Sequence, residues 1–308
     1  FCLIKKNQNM KRQILILITT GLIHMTSYCQ NKSKQKTEVE IWKLGWRVIE
    51  SSMEENYELA NLQFDSLRNC TKIIDKKYLV TGLQVKSKLG KVDEVTEIIN
   101  SQDLKIQQEV CSASFLSGYE ICKEYSIEKV DNKTLQIELI KMYLNDQYVR
   151  SNLMTNLLDK YKLTKNEVII DSFGVNTDER NRQRLKQIID EYGFPSKKLV
   201  GKDAMQGIFY MIQHSDGDKE WQKSQLLNIE KAVNNGDMDG QSYAYLYDRI
   251  QINGGKKQLY GTQFAKVDPI KKVVELADTE DLENVDKRRM GIGMMPIEMY
   301  KKFMLKNL

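Results

Sequence analysis

Apolar residues recur at helical spacing through most of the chain. From Val39 to about Asn100 they return every three or four positions, broken by short polar turns. Proline, which breaks helix interiors, is absent before Pro195. Beyond residue 131, Leu135, Leu139, Tyr143, Leu153 and Leu157 mark one face of a single long helix ending near Lys160. Val168-Ile169-Ile170 is a short apolar piece. Asn176 with Glu179 approximates a capping box for a helix through Leu185, Ile188 and Ile189. Gly193 and Pro195 stop it. Further helices are expected at about 203–213, 219–233 and 241–247. The period then changes to two. Arg249–Asn253 alternates, Gly254-Gly255 turns, and Lys257–Phe264 alternates again, the pattern of a β-hairpin. The tail from Asp286 reads as a turn and a last amphipathic helix.

The pattern divides the chain near Asp131. Within 31–130, Asn56–Ala60 and Lys91–Val95 stand 35 residues apart, each between two amphipathic runs. Leu89-Gly90-Lys91 has the character of a tight helical corner. The period is close to the tetratricopeptide repeat of ~34 residues, a weak likeness carried by two units only. The expected architecture is mainly α: a helical-hairpin region at 31–130, then an α-rich domain at 131–308 with one β-hairpin.

The first thirty residues differ from the rest. Met10 is followed by Lys11 and Arg12 and then by the largely apolar run Ile14–Ile23. A basic start and a run of this length read as a secretory signal, too short for a membrane span of ~20 residues. Residues 1–9 are then an upstream extension of the reading frame. Cleavage before Gln30 leaves small residues Ser27 and Cys29 at the required positions. The alternative is lipidation of Cys29, for which Thr26 and Tyr28 fit poorly, so plain cleavage is favoured. The expected location is the periplasm or cell surface, with a lipid anchor at Cys29 as the variant. No later segment is apolar enough to span a bilayer.

Charge alters the picture less than its total suggests. The net +5 rests on four basic residues before Gln30, which leave 43 basic against 42 acidic residues in the body. No block of five like charges occurs, so a nucleic-acid partner is excluded by the lack of a basic stripe. Export into an oxidising compartment makes Cys111 and Cys122 a disulfide candidate. One straight helix would hold them ~16 Å apart, so they pair only if the chain turns between them, where Ser117-Gly118 offers a turn.

Seven blocks occur in order: Asn176-Thr177, Gly193-Phe194-Pro195, Val200-Gly201, Gln213-His214-Ser215-Asp216, Tyr243–Arg249, Gln258–Gln263 and Asn284–Arg289. Over about 135–305 the chain resembles an uncharacterised bacterial domain of unknown function with QHxD, YAYLxDR and QxYGTQ blocks. Ser215 stands where that family often has Ala, and the stretch between Phe264 and Asn284 is atypical. The resemblance implies residues of interest and no reaction.

His214 is the only histidine outside the leader, and imidazole is the side chain suited to proton transfer near neutral pH. Asp216 could orient it. Ser215 and Thr262 are the hydroxyls at hand, and a water activated by His214 is the simpler nucleophile. A helix-end histidine bonded to free carbonyls is the structural alternative. His214, Asp216 and Asp218 also have the donor types of a divalent-metal site, but successive odd positions need not converge and Asp218 can cap the next helix. No metal or other cofactor is therefore expected. Asp248 is expected to pair with Arg288 or Arg289, either of which could instead hold a carboxylate or phosphate. Gln258, Tyr260 and Thr262 would share one face of the second hairpin strand, lining a polar cleft or closing a buried network.

The sequence favours an exported, non-catalytic binding or interaction module whose partner is a polar small molecule or an envelope protein. The alternative is a hydrolase- or lyase-type enzyme with His214 as general acid/base and Gln258, Tyr260, Thr262, Asp248, Arg288 and Arg289 around a polar substrate.

Overall fold

The computed structural model describes residues 37–125, 129–148, 154–168, 177–268 and 270–306. The leader, Cys29, Leu153 and Asn176 lie outside the described residues. Two compact units part between residues 127 and 128, three residues before the boundary expected from the sequence.

The first unit contains α1 (Glu38–Met53), α2 (Tyr57–Cys70), α3 (Lys76–Lys88), α4 (Val92–Asn100) and α5 (Leu104–Cys111), followed by two 3-10 turns. Thr37 and Glu40 close a capping box at the start of α1, and the Asn56 side chain accepts from Leu59 N to start α2. Gly90 makes the expected corner, with φ +72°, a conformation that costs glycine little. Phe64, Leu79, Leu83, Val95, Ile98 and Val110 fill the core. Lys86 lies wholly buried at its edge, its ammonium on Asp65 (2.8 Å), Glu94 (2.6 Å) and Asn61 Oδ1 (2.9 Å). Cys111 and Cys122 form a disulfide with their Cα atoms 4.9 Å apart, because the chain turns between them through the 3-10 turn at Ser114–Leu116.

The second unit begins with α6 (Lys133–Tyr148), then α7 (Met154–Tyr161), α8 (Lys165–Val168), α9 (Thr177–Tyr192), α10 (Lys197–Val200) and α11 (Lys202–Gln213). It continues with α12 (Lys219–Ser224), α13 (Leu226–Asn234), α14 (Gly240–Asn253), the strands β1 (Phe264–Asp268) and β2 (Val273–Leu276), α15 (Val285–Gly291) and α16 (Ile297–Lys306). Of the helix expected to run to Lys160, the described residues give α6 and α7, with 149–153 outside them. One helix expected to be continuous is split. The one over 219–233 is α12 and α13, interrupted at Gln225, whose N–H reaches both Trp221 O and Gln222 O at 3.2 Å.

The hairpin also moves. Residues 249–253 are the last turns of α14, because Tyr243, Leu246 and Ile250 form one helical stripe against the core. Gly255, at φ +69°, ends that helix, with Lys256 N returning to Gln251 O at 2.9 Å. The two-stranded antiparallel hairpin is β1–β2 instead, with Lys266 opposite Glu275 and Val267 opposite Val274. Residues 258–262 are not a regular strand. Gly261 takes φ +69° and lies so close to Ile297 that a Cβ there would sit 2.9 Å from its Cδ1, so the alternation of Gln258, Tyr260 and Thr262 does not define a face.

The core of this unit is Leu139, Ile140, Leu144, Leu185, Ile188, Ile208, Ile212, Ile229 and Leu246. Helices α6 and α11 run side by side in the same direction. Tyr143 meets Gly207 and Tyr210, and three residues further along α6 Asp146 meets His214.

Candidate functional site

His214 terminates α11, its N–H bonded to Tyr210 O at 2.8 Å. Its Nδ1 faces the Asp146 carboxylate, at 2.8 Å from Oδ1 and 3.0 Å from Oδ2. The Asp146 side chain is fully buried, while that of His214 is 16% exposed. Gln147 Nε2 donates to Asp146 Oδ2 at 2.7 Å. The imidazole stacks on Tyr210, with centroids 5.9 Å apart, and Tyr210 stacks on Tyr143 at 5.6 Å. Burial raises the Tyr210 phenol above its ordinary pKa, and the Asp146 charge adds to the effect. Because a carboxylate only accepts, the geometry puts the ring proton on Nδ1 and leaves the Nε2 lone pair available. No described residue hydrogen-bonds Nε2.

Asp178, in the first turn of α9, completes the cluster. Ligand atoms of Asp146, Asp178 and His214 all lie within 4.8 Å of one another. Neither aspartate was singled out from the sequence. The signal for Asp146 was its position: it continues the Leu139–Tyr143 face of α6, where an acid is out of place. Asp178 was indistinguishable from any acid at a helix start.

The carboxylates nearest His214 in sequence are engaged elsewhere. Asp216 accepts from Arg249 Nε at 3.0 Å and from Arg249 Nη2, and from Asn253 and Gln222 at 3.2 Å each. Burial pushes its carboxyl up, but Arg249 and the two amides bring it to a net value below the usual range. Asp218 holds Lys186 at 2.8 Å and caps α12 through Trp221 N at 3.1 Å. Asp216 therefore does not orient His214, and His214, Asp216 and Asp218 do not converge on a metal. Ser215 is buried, its hydroxyl donated to Met211 O at 2.7 Å.

The remaining residues of interest form a separate network. Asp248 is buried and accepts from the N–H groups of Leu259, Tyr260 and Thr262 and from the Thr262 hydroxyl, at 2.8–3.2 Å. It does not pair with Arg288 or Arg289. Arg289 is fully buried and donates to Tyr260 O and Met295 O at 2.6 Å, its guanidinium over the Tyr300 ring. Arg288 donates to Leu259 O, Glu280 O and Asp281 O. Gln258 is buried, its amide tying together Gln263 O, Ala277 O and Thr279 Oγ1. Carboxylate, guanidinium and amide thus hold the 258–263 loop, and among the described residues no hydrogen bond runs from this network to His214. Tyr260 stays half-buried between Tyr243 and Tyr247.

Among the described residues, no helix is long and apolar enough to cross a membrane. No curated protein and no solved structure is similar enough to the chain to count as a match. One family model covers residues 133–307, more than half of the chain and all of the elements just described, so the protein belongs to the family of unknown function DUF6624.

Proposed function

We propose that the DUF6624 domain is an acid–base catalyst of the hydrolase or lyase type, acting outside the cytoplasm. The observation that carries this reading is the His214–Asp146 pair. A buried carboxylate fixes the tautomer and orientation of a partly exposed imidazole and stabilises the imidazolium that forms when Nε2 takes a proton. His214 is the acid/base, Asp146 its positioning residue, and a water the nucleophile, since Ser215 is committed to a backbone carbonyl. The basic start and apolar run at residues 10–23 support export to the periplasm or cell surface, with cleavage before Gln30 or lipidation at Cys29.

A non-catalytic envelope binding module is the second reading. It is favoured by the self-contained network of Asp248, Gln258, Thr262, Arg288 and Arg289, whose polar atoms hold the loop and leave little for a ligand.

The two separate in a substrate screen. The wild-type chain and His214→Asn are compared on chromogenic carboxylic esters, phosphoesters, glycosides and amides, with thermal melts confirming that both are folded. Turnover of one class that falls about 100-fold or more in His214→Asn supports the enzyme, in line with the usual weight of a general base. Equal rates for the two proteins on every class leave the binding module.

A further inference from the structure

We propose that Asp146, Asp178 and His214 bind a divalent transition-metal ion. The inference rests on the reading of this cluster as the functional centre and names the ion that would activate the water there.

The three donors come from three separate elements. Asp146 lies in α6, Asp178 in the first turn of α9, and His214 ends α11. Their ligand atoms nevertheless lie within 4.8 Å of one another. Donors held ~2.1 Å from one ion are about 3–4 Å apart, so side-chain movements on the order of an ångström close the set. The His214–Asp146 spacing of 2.8 Å needs almost none. One imidazole with two oxygen donors and no thiolate suits Mn²⁺, Fe²⁺ or Zn²⁺, with water completing the shell.

A second observation comes from the residues beside the donors. Asn145, Thr177 and Gln213 each directly precede one of the three. Each carries a buried side-chain oxygen (Oδ1, Oγ1 and Oε1) with no hydrogen-bond partner among the described residues. Asn145 is 2% exposed and Thr177 0%. Buried acceptors are ordinarily satisfied. Water in the shell of a metal is a strong donor and would satisfy whichever of these oxygens faces the cluster. The supports that metal ligands need are also present. Gln147 holds the Asp146 carboxylate, and Tyr210 fixes the plane of the imidazole.

Ligation through Nδ1 would move the ring proton to Nε2, so that the imidazole stays neutral. The ion would supply the activation of a water, and Asp146 and His214 would hold it in place of exchanging the proton themselves.

The test is calorimetric titration of the metal-stripped full chain with MnCl₂ and, separately, ZnCl₂, beside Asp178→Asn and His214→Asn. One ion per chain with a dissociation constant below about 100 µM, weakened at least tenfold in both variants, is expected. Binding weaker than 1 mM in the wild type, or equal binding in all three proteins, overturns the proposal. Asp178→Asn keeps the His214–Asp146 pair, so the site and its chemistry can fail separately. Turnover that survives metal stripping and Asp178→Asn sinks the metal and keeps the acid–base pair. Tight binding without turnover of any substrate class keeps the metal and sinks the enzyme.

Discussion

Gly207 of α11 lies against Tyr143 of α6 so closely that a Cβ on Gly207 would sit 2.6 Å from the Cβ of Tyr143. That approach lets the two helices meet along their length, and it sets the register in which Asp146 reaches His214 one turn later. Gly207→Ala therefore forces the helices apart. The expected cost is about 1–3 kcal/mol, the usual penalty for overpacking a core, measured by urea denaturation. Gly90→Ala is the comparison, since nothing lies within 4 Å of that position and only its positive φ resists a side chain.

The His214–Asp146 contact can be weighed by a double-mutant cycle. Asp146 is fully buried and loses a donor when His214 is removed. Hydrogen bonds to charged groups contribute about 1.5–3 kcal/mol, so the cycle of His214→Ala and Asp146→Ala should give a coupling in that range. A coupling near zero in urea melts would mean that the pair does not form in solution.

In the first unit, hydrogen bonds from Lys86 and then Lys91 hold the Glu94 carboxyl down at about 2, against an ordinary 4.5. A depressed carboxyl contributes stability that is complete above its unfolded pKa and is lost as pH falls through its folded one. The gap in melting temperature between wild type and Glu94→Gln should therefore be widest above pH 5 and close between about pH 4.5 and 2. Glu94 is 44% exposed, and screening keeps the effect to about 1 kcal/mol or less. Melts at pH 6, 4 and 2.5 test the sign.

Asp248→Ala removes the acceptor for three backbone N–H groups and one hydroxyl at once. Buried donors left unsatisfied cost about 1–3 kcal/mol each at most, and partial rescue by water leaves an expected loss of about 3–5 kcal/mol. Amide exchange should show Leu259, Tyr260 and Thr262 losing protection before the rest of the domain does.

The second unit is compact and has its own core. Residues 128–308 expressed alone should melt in one cooperative transition. A fragment that lacks such a transition, while the full chain shows one, would place the boundary elsewhere.

Helices were the most legible part of the fold, because their stripes are long. Leu185, Ile188 and Gly193 announced α9, and Gly90 announced the corner between α3 and α4. The hairpin was misplaced for a local reason. Arg249-Ile250-Gln251-Ile252 alternates over four residues, too short a run to compete with the helical stripe entering it from Tyr243 and Leu246. The true strands lie on either side of residues 269–272, where the sequence Asp268-Pro269 is a turn signal as good as Gly254-Gly255. Of the candidate site, His214 could be read from the sequence, being the one imidazole outside the leader. Its partner could not, since Asp146 is 68 residues away and reaches it only because α6 and α11 pack in register. Asp216, two residues on, was the nearer guess, and nothing in the sequence reveals that Arg249 occupies it. Gln258, Tyr260 and Thr262 read as a row unusual for an apolar core, but alternation could not show that the chain bends at Gly261 around Asp248.

His214 ends α11, where the last carbonyls of the helix find no partner further along the same helix. Such an end carries roughly half a negative elementary charge. The ring thus sits in a field that favours positive charge before any side chain is counted. An imidazolium is drawn there by the peptide backbone itself. Neutralising Asp146 would weaken that preference without abolishing it, so part of the electrostatic character of His214 is a property of where a helix stops.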